Sequence, residues 1–255
     1  MVHPVNDTAF LSALFEALPA PILLYSPDSV IESNTRARAM LEADSSERLR
    51  GMPMSQLVHP GSREASDSRR RALFQFDQQP EPVAIELVSL RGNSFQATTV
   101  ATSFTFDDMR YGVVVELGSS RRCTSLSTRT APPEALGAGS VIGGALHVLP
   151  LPVLTVTTRV VTFVNQAACD MLGATDPAEL VGVSAMDVLH PDARDAMHER
   201  VAPLISNEGR VLDLPLKALR LDGQCLRTSC LTTCTPYEDE PVFIFVATGY
   251  EPVAP

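Results

Sequence analysis

Helix-type and strand-type patterning succeed one another along the chain. Behind Asn6-Asp7-Thr8, good helix-capping residues, Phe10, Leu11, Leu14, Phe15 and Leu18 fall on one helical stripe. Pro19 and Pro21 end that helix. Ile22-Leu23-Leu24-Tyr25 reads as a buried strand, Ser26-Pro27-Asp28 as a turn and Val30-Ile31 as a second strand. Asn34 stands where a helix carrying Ala37, Met40 and Leu41 needs its cap. Short helical pieces are expected over Ser45 to Leu57, broken at Gly51 and Pro53. After His59-Pro60-Gly61-Ser62 comes a longer helix from about Arg63 to Phe76. The rest of this half reads as strand: Val83 to Leu90, Phe95 to Phe106 and Tyr111 to Leu117, with turns at Arg91-Gly92-Asn93 and Asp107-Asp108.

The same plan returns at a constant offset. Leu18-Pro19-Ala20-Pro21-Ile22-Leu23 reappears 131 positions later as Leu149-Pro150-Leu151-Pro152-Val153-Leu154. The offset also relates Asn34 to Asn165, Met40-Leu41 to Met171-Leu172, Gly51 to Gly182, His59-Pro60 to His190-Pro191, and Gly92 to Gly223. A register held across helices, turns and strands alike marks a duplication. In the second copy, strands are expected at Val153 to Val156, Val160 to Val164, Val211 to Leu221, Gln224 to Thr235 and Val242 to Thr248. Helices should start from Asn165, Pro177 and Asp192.

Two strands, several helices and three closing strands suit an α+β unit, an antiparallel sheet with helices on one face. The expected division is an amphipathic helix over 1–17, one domain over 18–118, a flexible linker over 119–144, a second domain over 145–250 and a tail over 251–255. Ser, Thr, Pro and Gly without apolar periodicity carry the linker assignment, and Ser140-Val141-Ile142 reads as the start of a short helix.

Composition narrows the functional classes. The 255 residues carry a formal charge of −10, which argues against a nucleic-acid partner, since such binding needs a basic face. The basic run Arg69-Arg70-Arg71 reads as a solvated helix face. No apolar stretch approaches the roughly 20 residues of a membrane span, and the N-terminus shows no secretory pattern, so a cytoplasmic location without membrane attachment is expected. Five cysteines with no CxxC pair read as free thiols. Cys230 and Cys234, four residues apart on one strand, would be separated by about 13 Å and cannot share a zinc ion.

The order of elements, with "VTFVNQAACDML" (Val161 to Leu172), "ELVGVSAMDVLHPDAR" (Glu179 to Arg194) and "LRLDGQCLR" (Leu219 to Arg227), resembles the PAS sensor domain. "VIESNTRARAML", "RLRGMPMSQLVHPGSR" and "SLRGNSFQA" are the counterparts in the first copy. The resemblance implies two PAS-like domains, each with a five-stranded antiparallel sheet in the order 2-1-5-4-3. It also implies a role in signal input or dimerisation, in some relatives with haem, flavin or a small organic ligand held between sheet and helices.

Candidate sites follow from that resemblance. Cysteinyl–flavin photochemistry needs a thiol where this chain has Met54 and Ala185, so it is not expected. His198 occupies the long-helix position at which haem-binding relatives carry their axial ligand; Asp67 replaces it in the first copy. Haem is thus a candidate cofactor of the second domain alone, although Leu212-Asp213-Leu214-Pro215 lacks a distal arginine. Asn34 and Asn165 are candidates for helix caps or for contact with a pocket ligand. His59 and His190 read as markers of helix starts. No metal site is expected. Catalytic signatures are missing too: no GxSxG, HExxH or GxxxxGK[ST] pattern occurs, and the acidic turns Asp107-Asp108 and Glu238-Asp239-Glu240 are solvated hairpins.

The expected function is a non-catalytic tandem sensory module that responds to a small ligand or a protein partner. Its apolar first helix would mediate a homodimer, because such a face must be buried somewhere. With no output domain after the last strand, the sequence reads as a protein acting through a partner, or as the input region of a histidine kinase or other regulator. The alternative is a haem-binding gas or redox sensor, or a haem-using enzyme, built on His198.

Overall fold

The computed structural model describes residues 7–76, 81–117, 140–206 and 210–253, except the side chains of Ala196 and His198. The first unit contains α1 (Thr8–Ala17), β1 (Ile22–Tyr25), β2 (Val30–Ser33), α2 (Thr35–Met40), α3 (Arg63–Gln75), β3 (Val83–Val88), β4 (Ser94–Phe106) and β5 (Met109–Glu116). The second contains α4 (Val141–Val148), β6 (Val153–Val156), β7 (Val161–Val164), α5 (Gln166–Leu172), α6 (Pro191–Ile205), β8 (Leu212–Leu219), β9 (Cys225–Tyr237) and β10 (Glu240–Pro252). Both sheets are five-stranded and antiparallel, in the orders β2-β1-β5-β4-β3 and β7-β6-β10-β9-β8, which is the α+β architecture expected of each repeat. Two boundaries need correction. The expected linker overlaps α4, which begins at Val141, and the expected tail overlaps β10, which runs on to Pro252 paired with Leu226. The linker stretch 119–139 lies outside the described residues.

Local chemistry fixes the turns. Asp107 and Asp108 at φ 47° and 59°, with Glu238 and Asp239 at 46° and 64°, make the left-handed two-residue loops that match the twist of antiparallel strands. Each His–Pro turn opens a helical segment: His59 Nδ1 accepts from the Gly61 N–H and His190 Nδ1 from the Asp192 N–H, both at 3.3 Å. Proline follows at the first helical position, where no N–H is needed.

Because side chains alternate across a strand, each sheet has two apolar faces. One face of β10 sends Phe243 and Ala247 into the interior of the second unit, while Val242, Ile244 and Val246 point the other way. In the first unit Leu23 faces inward and Ile22 and Leu24 outward. The two interiors are separate clusters. The outward faces share a third, built around α1 and α4. The two lead-in helices cross over: α1 packs on α4 and on β9 of the second sheet, and α4 packs on β4 of the first. Gly144 permits the latter approach, since a Cβ there would meet Phe104 Cε2 at 2.6 Å. At the other end Asp7 caps α1 and accepts from the Tyr237 hydroxyl at 2.6 Å, with Phe10 edge-on to the Tyr237 ring at 5.1 Å. The stripe Phe10, Leu11, Leu14, Phe15 and Leu18 is therefore buried within one chain. The homodimer inferred from that stripe loses its motive.

Candidate functional site

The interior of the second unit is hollow. A cavity of about 320 Å³ lies between the sheet and the helices, at the lower end of the ~300–1,000 Å³ range of small-molecule sites. Val156, Phe243 and Phe245 form part of its sheet wall, Ala185 and Met186 come from the short segment before α6, and Met197 and Val201 come from α6. No charged side chain lines it among the described residues. Of its polar side chains, Thr228 donates to the Leu216 carbonyl at 3.2 Å, Cys230 to Thr228 Oγ1 at 3.5 Å and Thr157 to the Val160 carbonyl at 3.4 Å, while Thr158 completes the set. Burial pushes the Cys230 thiol up to about 11, which keeps it protonated and unreactive. The site is suited to a neutral, apolar molecule.

The first unit fills the same place, leaving about 70 Å³. Tyr25 stands where the second unit has Val156, and Met54 where it has Ala185. The tyrosine ring fits because Gly112 replaces the counterpart of Phe243; a Cβ on Gly112 would lie 2.5 Å from Tyr25 Cζ. One aromatic ring has moved from the central strand of the sheet to its neighbour, and the volume has gone with it.

Asn34 and Asn165 line neither cavity. Each is fully buried and uses its whole amide on the backbone. Asn165 Oδ1 accepts from Val153 N and Ala168 N, both at 2.9 Å, while Nδ2 donates to Leu149 O at 3.1 Å and Leu151 O at 2.8 Å. Asn34 makes the equivalent four bonds. With no donor or acceptor to spare, they are staples joining the lead-in segment, the first strand and the following helix; the ligand-contact reading of these two is withdrawn.

Met54 and Ala185 both line their cavities, and neither brings a thiol for flavin attachment. His198 falls on α6, but its side chain lies outside the described residues. Tested against haem, the described cavity lining offers no imidazole for the iron and no cation for the propionates; its sulfur atoms are the Cys230 thiol, held protonated, and the thioethers of Met171, Met186 and Met197. That lining does not fit haem, and no chemistry is derived through it. Among the described residues no cluster of His, Cys, Asp and Glu can hold a metal ion, and no helix is long and apolar enough to cross a membrane.

Sequence reasoning missed Tyr25, Gly112 and Arg69. The first two were readable by laying the repeats over one another. Arg69, read as part of a solvated face, instead turns toward β4 and bonds to Thr99.

Comparison with known proteins agrees with this architecture. Two profiles described as PAS domain match residues 9–77 and 150–249. Together they cover well over half of the chain. The chain belongs to the PAS family, as a tandem of two such domains, and is a sensory or signalling module. The aryl hydrocarbon receptor nuclear translocator homolog of Drosophila melanogaster is 32% identical over 85 residues, which is 32% of this chain but 13% of that protein. Among solved structures, the PAS domain of an HTR-like protein from Haloarcula marismortui is 18% identical, with 43% of this chain and 88% of that one covered at a TM-score of 0.38. The PAS domain of nitrogen regulation protein NR(II) from Vibrio parahaemolyticus is 15% identical, with coverages of 44% and 97% and a TM-score of 0.36.

Proposed function

We propose that this protein is a non-catalytic, cytoplasmic sensor whose second domain takes up a small, neutral, apolar ligand and whose first domain is a packed scaffold for that response. The observation that carries the reading is the contrast between a cavity of about 320 Å³ and its counterpart of about 70 Å³ at the same place in the same fold. β10 supplies the route outward. Phe243 and Phe245 line the cavity, while Val242, Ile244 and Val246 belong to the cluster that holds α1 and α4. A ligand that displaces the two phenylalanines therefore acts on the strand against which the lead-in helices are packed. The listener is a protein partner or an output domain such as a kinase.

Native mass spectrometry of the purified chain, followed by titration with indole as an apolar probe, tests this reading. Indole should bind and raise the melting temperature. Ala185→Met, which copies the residue found in the filled domain, should abolish both effects. Binding that survives in Ala185→Met refutes the site, and a Soret band in the purified protein refutes the apolar-ligand reading in favour of haem on His198.

A further inference from the structure

The small cavity of the first domain differs from its counterpart in chemistry as well as in size. Its volume of about 70 Å³ is several times the roughly 10–15 Å³ that one water molecule needs. Where the second domain presents Val156, Met197 and Cys230, the first presents Tyr25, Ser66 and Thr99. Arg69 also lines this cavity, whereas the corresponding Arg200 is exposed and bonds to the Pro215 carbonyl.

Arg69 is short of acceptors. Nη1 donates to Thr99 Oγ1 at 2.8 Å and Nη2 to the Thr99 carbonyl at 3.2 Å, but Nε is buried and donates to nothing among the described residues. Its neighbour Arg70 is neutralised by Asp67 at 2.9 Å; Arg69 makes no ion pair with a carboxylate among the described residues. Burial disfavours its charge, and the neighbouring Tyr25 phenol, itself pushed up by burial, stays protonated and supplies no counter-charge. A guanidinium has five N–H donors, and two bonds leave three of them over. The Tyr25 phenol reaches the same cavity, and its hydroxyl has no hydrogen-bond partner among the described residues. A partly desolvated cation and a spare O–H ask for the same thing, an acceptor carrying negative charge. Leu57, Leu73 and Ile85 supply an apolar stretch of the remaining wall, whose other charged side chains are Arg70 and Glu116.

We infer that the first domain binds a short-chain carboxylate, its head accepting hydrogen bonds from Arg69 and Tyr25 and its aliphatic end lying among Leu57, Leu73 and Ile85. The site is separate from the cavity of the second domain and stands or falls without it. The scaffold domain would then carry an input of its own.

Calorimetric titration of the full chain with butyrate, n-butanol and inorganic phosphate tests the assignment. Butyrate should bind. Butanol lacks the charge and phosphate the tail, so both should fail. Arg69→Gln should weaken butyrate by about tenfold or more and Tyr25→Phe by several-fold, as expected for losing hydrogen bonds to a charged group. Ala185→Met, which alters the other cavity, should leave butyrate binding unchanged. Phosphate binding as tightly as butyrate overturns the ligand class, and loss of butyrate binding in Ala185→Met overturns the location. Because Arg69 also ties α3 to β4, Arg69→Gln may be read only if it folds; otherwise Tyr25→Phe decides, and unaltered butyrate binding there overturns the proposal.

Discussion

His147 sits at the end of α4 with 7% of its surface exposed and its Nε2 buried without a hydrogen-bond partner among the described residues. The Phe163 ring lies against it, centroids 5.2 Å apart. A helix C-terminus favours a cation, but desolvation outweighs that and brings the imidazole down from 6.5 to about 4. The sign follows from proton counting. Between those values the unfolded chain binds a proton that the folded chain refuses, so stability is complete above about pH 6.5 and is lost as the pH falls toward 4. Each unit in that window is worth ~1.36 kcal/mol, so going from pH 7.5 to pH 5 should cost about 2 kcal/mol through this residue. His147→Leu removes the group while keeping a side chain of similar bulk. Urea unfolding of both proteins at the two pH values isolates the effect, because the carboxylates titrate alike in each and cancel in the difference. The variant's advantage over the parent should grow by about 2 kcal/mol on acidification. A difference that stays constant, or an imidazole resonance titrating near 6.5 in the folded protein, would refute the reasoning.

Other perturbations probe the packing. Asn165→Ala strands two backbone N–H groups and two carbonyls in the interior, so a loss of about 3–5 kcal/mol is expected by urea unfolding. Gly144→Leu drives a side chain into Phe104 and should cost about 2 kcal/mol despite the better helix propensity, read as a lower melting temperature. Asp7→Asn and Tyr237→Phe, run as a double-mutant cycle, should show a coupling of about 1 kcal/mol that ties the first helix to the second sheet. Thiol labelling should reach Cys225, which is partly exposed, well before Cys169, whose buried thiol is pushed up to about 12.

The repeat, the elements and the helix-capping role of the asparagines were legible because each rests on local chemistry. A proline stops a helix wherever it stands, and Asn34 caps α2 with atoms three residues away. What could not be read depends on partners far along the chain. The apolarity of Phe10 and Leu14 demands burial but does not name the surface, and the answer lies on a strand more than two hundred residues away. Arg69 looks like Arg70 and Arg71 in sequence; only the arrival of Thr99 on β4 separates it from them. The cavities show both limits at once. Tyr25 against Val156 was visible in the aligned repeats, yet its effect on volume depends on Gly112, four strands later in the chain.

The exchange of lead-in helices makes the two repeats joint owners of one structure. Cutting the chain between them would leave the first sheet without α4 and the second without α1, so the products of such a cut should remain together as a one-to-one complex. Expressed separately, each half would offer a bare apolar sheet to whatever it met, most readily another half. The duplication has thus put into a single gene product a stoichiometry that two separate subunits would have to find by collision.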